Sequence, residues 1–139
     1  MFELLYTSVA PQGFSESELM VLLQTTRLKN KSIGVTGMLV YHDREFIQLL
    51  EGEEDIVKDL YQTIARDSRH TNVEVFYQGE IENRAFGDWS MAFKRLDENS
   101  LKAVIPGYES FERSISPVSM LKTSPNRGKQ TFLSLRDTL

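Results

Sequence analysis

Apolar and polar positions change their period along the chain, and each change marks an element. Phe2 to Val9 mixes apolar and β-favouring residues and stops before Pro11 and Gly13, which predicts a first strand and then a loop. With a period of two, Tyr6 and Ser8 share a face with Phe2 and Leu4. Ser15 and Glu18 then form an S-x-x-E capping box before Leu19, Leu22, Leu23 and Thr26. That i, i+3, i+4, i+7 spacing is the buried stripe of a helix, expected to end near Leu28 to Asn30. Gly34 to Tyr41 reads as a second strand, with Gly34 and Gly37 where a backbone must turn or approach something closely. A polar turn, His42 to Glu45, joins it in a hairpin to a third strand, Phe46 to Glu51, with Gln48 on the face of Phe46 and Leu50.

Glu51, Glu53, Glu54 and Asp55 mark the positive end of a second helix whose stripe is Val57, Leu60, Tyr61 and Ile64, and Arg66 suits its negative end. After the polar loop Asp67 to His70, Val73 to Tyr77 predicts a fourth strand. A loop through Phe86, Gly87 and Asp88 leads to a fifth, Trp89 to Lys94. The order βαββαββ, with one hairpin at its centre, is that of an α+β, ferredoxin-like sheet. Right-handed crossovers put both helices on one face and the first and third strands side by side in the middle. Tyr6 and Gln48 are then neighbours beneath the helices.

From Asp97 the pattern weakens into a helical turn at Leu101 to Val104, a break at Pro106-Gly107 and a further short helix at Ile115 to Lys122. Residues 1–96 thus read as the domain, and 97–139 as a C-terminal helical extension, a cap or tail. About 44 residues after Arg95 are too few for an independent output domain of ordinary size.

Composition narrows the function classes. The 139 residues are 40% hydrophobic and 26% charged, the balance of a single folded domain. No apolar run approaches the roughly 18 residues of a membrane span, and Met1 to Tyr6 lacks the basic start of a secretory signal, so the expected location is the cytoplasm with no membrane partner. Sixteen basic against twenty acidic residues give a net charge of −4, which argues against direct nucleic-acid binding. The absence of cysteine excludes thiol catalysis, disulfides and cysteine-held metals, and His42 and His70 alone support no metal site.

Enzyme signatures are missing: no G-x-S-x-G elbow, P-loop, H-E-x-x-H or G-x-G-x-x-G is present. The acidic cluster Glu51 to Asp55 reads as a solvated helix start before it reads as paired carboxylates, and His70 as a loop histidine beside Arg69. Gln48 is more informative. Among Phe46, Ile47, Leu49 and Leu50 in a central strand it is buried, and both ends of its amide need partners. The Tyr6 hydroxyl offers one, and Asn30 adds a second amide near the first helix's end. Taken singly these are a satisfied core amide, a core aromatic and a helix C-cap. Together they line a crevice between two helices in which polar groups converge in an apolar wall, the make-up of a small-molecule site.

The chain resembles the BLUF domains, blue-light sensors that use flavin adenine dinucleotide, over roughly Phe2 to Leu96. The resemblance rests on Leu5-Tyr6-Thr7-Ser8, Asn30 with Gly34 to Leu39, Phe46 to Gly52, Asp67 to His70, and Asp88 to Met91. It implies FAD as cofactor, its ring between the helices, with Tyr6 as photochemical electron and proton donor and Gln48 linking Tyr6 to the flavin. It implies Asn30 at the ring's carbonyl and imide edge and Ser8 as a polar neighbour of Tyr6. Trp89 and Met91 are the implied fifth-strand pair whose positions depend on illumination, and Asp67, Arg69 and His70 approach the ribityl and phosphate part. Lys29 departs from the asparagine or histidine of many relatives and is placed to sit over the ring, reach phosphate, or stay solvated. The implied protein is a photoreceptor without an output enzyme domain that signals through strand five and the tail to a homo-oligomer or a separate protein. Two other readings use the same residues: a small ferredoxin-like enzyme or metabolite-binding domain, and a purely structural interaction module.

Overall fold

The computed structural model describes residues 1–95 and 125–134. Its elements are β1 (Phe2–Val9), α1 (Glu16–Ile33), β2 (Thr36–His42), β3 (Glu45–Gly52), α2 (Glu54–Ala65), β4 (Thr71–Glu80), β5 (Ala92–Arg95) and a third described helix, α3 (Pro125–Ser134). The expected turn at Leu101 to Val104 and helix at Ile115 to Lys122 lie outside the described residues.

The five strands form one sheet in the order β4-β1-β3-β2-β5. The pairs β1–β3, β1–β4 and β2–β3 are antiparallel, and β5 runs parallel to β2, so the ferredoxin-like arrangement carries one added edge strand. The alternation of β1 and β3 decides what each face holds. Leu4, Tyr6, Phe46 and Leu50 meet Leu19 and Leu23 of α1 and Val57 and Leu60 of α2 in one core. Leu5, Ile47 and Leu49, with Met38 and Val40 of β2, turn the other way, where Phe132 of α3 is fully buried among them. Lys129 of α3 pairs with Glu3, only 2% exposed, and stands 4.6 Å from the centre of the Tyr77 ring. A carboxylate on an apolar face is costly without such a partner, so this pair helps to set where the helix seats.

Two boundaries near the cavity, and the setting of one acidic residue, differ from the sequence expectation. The capping box at Ser15 and Glu18 forms as expected, but α1 runs on to Ile33 and ends at Gly34, whose left-handed φ of 71° supplies the cap. Asn30 is therefore inside the helix, with its carbonyl receiving the N–H groups of Gly34 and Val35. The fifth strand begins at Ala92, leaving Trp89 and Met91 in the preceding loop. Side chains of α1 take the carbonyls that a strand would pair: Asn30 Nδ2 donates to Ser90 at 3.0 Å and Arg27 Nε to Met91 at 2.9 Å. Finally, Glu51 lies in β3 as the strand expectation had it, but it is fully buried and so is no member of a solvated acidic helix start.

Gly37 admits no side chain. A Cβ there falls 1.8 Å from the Leu49 carbonyl oxygen, and that neighbour is backbone in a central strand. Gly37→Ala is expected to cost on the order of 3 kcal/mol through overpacking, read as a lower urea midpoint at unchanged slope.

Candidate functional site

Between α1 and α2, over the centre of the sheet, lies a cavity of about 200 Å³. Leu22 of α1 and Leu60 and Ile64 of α2 give it apolar sides, and Leu39 and Phe46 of the hairpin continue the wall. Polar groups enter at defined points: Tyr6 from β1, Gln48 from β3, Lys29 and Asn30 from α1, and Asp67, Arg69 and His70 from the loop after α2.

Tyr6 and Gln48 are direct cross-strand partners, and the Tyr6 hydroxyl donates to Gln48 Oε1. The other end of the amide donates from Nε2 to Met91 Sδ at 3.4 Å. Both ends are thus engaged, at 4% exposure for Gln48 and 3% for Tyr6. The two ends have opposite character: a half-turn of the amide would aim NH₂ at the phenol and oxygen at a thioether that has no proton to give.

Burial pushes the Tyr6 phenol well above its ordinary value, and the nearby Tyr61 and Asp67 add to the rise. The phenol is therefore kept neutral and holds its proton. A group raised in this way contributes stability below its unfolded value of about 10 and loses that contribution as the pH climbs toward the raised one. The urea midpoint is expected to fall between about pH 9 and pH 11, and to fall less in Tyr6→Phe.

In the loop after α2, Asp67 and Arg69 form a tight pair, with Arg69 Nη2 to Asp67 Oδ2 at 2.6 Å and Nε to Oδ1 at 3.0 Å. The Arg69 guanidinium holds the Asp67 carboxyl down at about 2 against the opposing pull of burial. His70 is more than a loop histidine. Its Nε2 donates to the Ile64 carbonyl at 2.5 Å, so in the neutral ring Nδ1 accepts from Ser8 Oγ at 2.9 Å, which ties β1 to the end of α2.

Of the residues named from sequence, seven line the cavity: Tyr6, Lys29, Asn30, Gln48, Asp67, Arg69 and His70. Ser8, Trp89 and Met91 do not. Ser8 acts on the wall through His70, and Met91, 1% exposed, reaches Gln48 from the β4–β5 connection. Trp89 is 45% exposed, with its carbonyl bonded to the Gly37 N–H at 3.3 Å. The wall residues Leu22, Leu60 and Ile64 sat on the helix stripes already read from the sequence, and Leu39 is the hairpin partner of Gln48. Phe14, in the loop before α1, also lines the cavity and had no periodic signal.

The lining suits a flat ring whose polar edge carries both donors and acceptors. Such an edge alternates acceptor and donor, and the carboxamides of Asn30 and Gln48 each carry both functions inside apolar walls.

The family model for BLUF, "Sensors of blue-light using FAD", matches residues 1–92. The photoactivated adenylate cyclase subunit beta of Euglena longa is 34% identical over 89 residues, 63% of this chain and 10% of that protein. The chain thus spans about a tenth of the length of such curated relatives. Among solved structures, the photo-activated state of BlsA superposes with a TM-score of 0.78 at 25% identity, covering 96% of this chain and 91% of that one. The Klebsiella pneumoniae protein BlrP1, solved with FMN and cyclic diGMP, matches with a TM-score of 0.63 at 28% identity, over 68% of this chain and 25% of that one.

Proposed function

Because the chain belongs to the BLUF family, the sensors of blue light using FAD, we propose that Tyr6 and Gln48 form its photochemical relay, in which light changes the hydrogen bonds of one buried amide. The observation that carries this reading is the Gln48 carboxamide, held at one end by the Tyr6 phenol and at the other by Met91.

When bound, the flavin supplies light absorption and an electron-accepting excited state. The protein has to place a donor and a relay beside it. Tyr6 offers an oxidisable phenol whose proton already rests on a hydrogen bond to Gln48 Oε1. Withdrawing an electron from that phenol makes its proton strongly acidic, and the bonded amide oxygen is the group positioned to take it. When the electron returns to Tyr6, the amide gives one proton back to the phenol and is left rotated or as its imidic tautomer, with donor and acceptor exchanged on the cavity side. The same change removes the Nε2–H from Met91 Sδ, so the relay and the segment leading into β5 are released together. A state change can propagate only where the two states make different contacts, and Met91 provides such a contact.

Asn30 is assigned to the ring's carbonyl and imide edge, and Asp67, Arg69 and His70, with Lys29, to the ribityl and phosphate part. Ser8 supports His70, and Trp89 with Met91 receives the signal. FAD is the cofactor assigned here; BlrP1, solved with FMN, makes a shorter flavin the competing ligand. The protein is read as a sensor without turnover chemistry, passing its state through β5 and the C-terminal segment to a second copy or a separate protein. Among the described residues no helix is long and apolar enough to cross a membrane.

The deciding experiment is the absorbance spectrum of the purified protein before and after blue light. A flavin spectrum that shifts to the red and returns in darkness is expected. A colourless protein, or a yellow one without the shift, contradicts the reading. A different tightly bound ligand would favour a metabolite-binding domain using the same cavity.

A further inference from the structure

We propose that Glu51 is a positioning residue for the photochemical site: by holding the middle of the β4–β5 connection it keeps Met91 against the Gln48 amide. This rests on the photosensor reading above.

Glu51 lies three residues beyond Gln48 on β3, with its side chain on the opposite face of the sheet, and it is fully buried. Among the described residues, its carboxylate hydrogen bonds all come from donors. Its Oε2 accepts from the Ala85 N–H at 2.5 Å, and its Oε1 from the Phe86 N–H and the Thr36 hydroxyl, each at 3.0 Å. Arg84 Nη1 reinforces the group, donating to Thr36 Oγ1 at 2.9 Å and to the Glu51 carbonyl at 3.2 Å.

The connection between β4 and β5 runs from one edge of the sheet to the other. At its start the Ile81 N–H bonds to the Met1 carbonyl at 2.9 Å. Glu51 takes hold midway. From Phe86 the path to the relay is short: the Phe86 carbonyl accepts the Trp89 N–H at 2.9 Å, and two residues later Met91 Sδ meets Gln48 Nε2. Arg27 and Asn30 hold the Met91 and Ser90 carbonyls from the side of α1. Met91 is therefore fixed from both faces of the sheet, and Glu51 supplies the hold on the far one.

Glutamine at position 51 keeps the shape but turns one acceptor into a donor facing a donor, so at least one of these bonds is lost. The test uses the full-length, flavin-loaded chain. With methyl-labelled methionine, Glu51→Gln is expected to move the Met91 resonance in the dark while that of Met20, exposed on α1, stays in place. After a blue pulse, the same variant should keep the size of the red shift but change the dark-recovery time constant by about tenfold, the factor one lost hydrogen bond of this kind carries. In a Met91→Ala background that change should shrink below about twofold. Thr36→Val, which removes one of the donors to Glu51, should act in the same direction and carries both readouts if Glu51→Gln does not fold. An unmoved Met91 resonance, a lowered melting temperature with unchanged recovery, or an equal change in both backgrounds would overturn the proposal. A wild-type protein with no light response would instead sink the photosensor reading, while the methyl resonance still decides whether Glu51 positions Met91.

Discussion

Gln48→Leu is expected to leave flavin bound and to remove the reversible red shift under blue light. Leucine fills much the same volume among Leu39, Leu50 and Met91, so the cavity walls persist, and Asn30 and Arg69 still offer polar contacts. What disappears is the group able to present either a donor or an acceptor. The Tyr6 hydroxyl then loses its acceptor in a site with almost no solvent, at a cost of about 1–3 kcal/mol in stability. A purely structural module loses the same hydrogen bond and the same stability, but it has no flavin spectrum and no light response to lose. Absorbance spectra in darkness and light separate the two, and a urea titration of each protein checks the stability cost.

Tyr6→Phe is expected to abolish the photocycle while keeping the fold. Phenylalanine preserves the ring that packs edge-on against Tyr61, at 5.6 Å between centres, but lacks the easily oxidised oxygen and the proton carried on it. Bound flavin should then stay fluorescent under illumination, because its excited state has lost the nearby donor. Wild-type photochemistry in Tyr6→Phe would move the donor role to another residue. Retention of flavin in both variants, with loss of the light response, would separate a photosensor from a metabolite site in which Tyr6 and Gln48 serve only as ligand contacts.

The pairing of Tyr6 with Gln48 is legible in the sequence because it depends on two robust regularities: period-two alternation assigns each side chain to a face, and crossover handedness places β1 beside β3. The helix stripes were legible for the same reason. Features set by long-range bonds between side chains and backbone were not. The start of β5 depends on Arg27 and Asn30 reaching carbonyls sixty or more residues away, which no local window contains. Gly34 was ambiguous because glycine marks a helix cap and a strand bend alike. Glu51 was placed in its strand, but its burial was not legible, because its neighbours Glu53, Glu54 and Asp55 do mark a helix start, whereas its own partners, Ala85 and Phe86, follow more than thirty residues later. The docking of α3 likewise depends on Glu3 meeting Lys129 across nearly the whole chain.

Infrared difference spectroscopy between dark and illuminated protein, with isotope label confined to the glutamine side-chain amides, addresses the Gln48 switch itself. A reversible change in an amide carbonyl band that is absent from Gln48→Leu is predicted. Labelled bands that stay unchanged while the flavin absorbance shifts would contradict it.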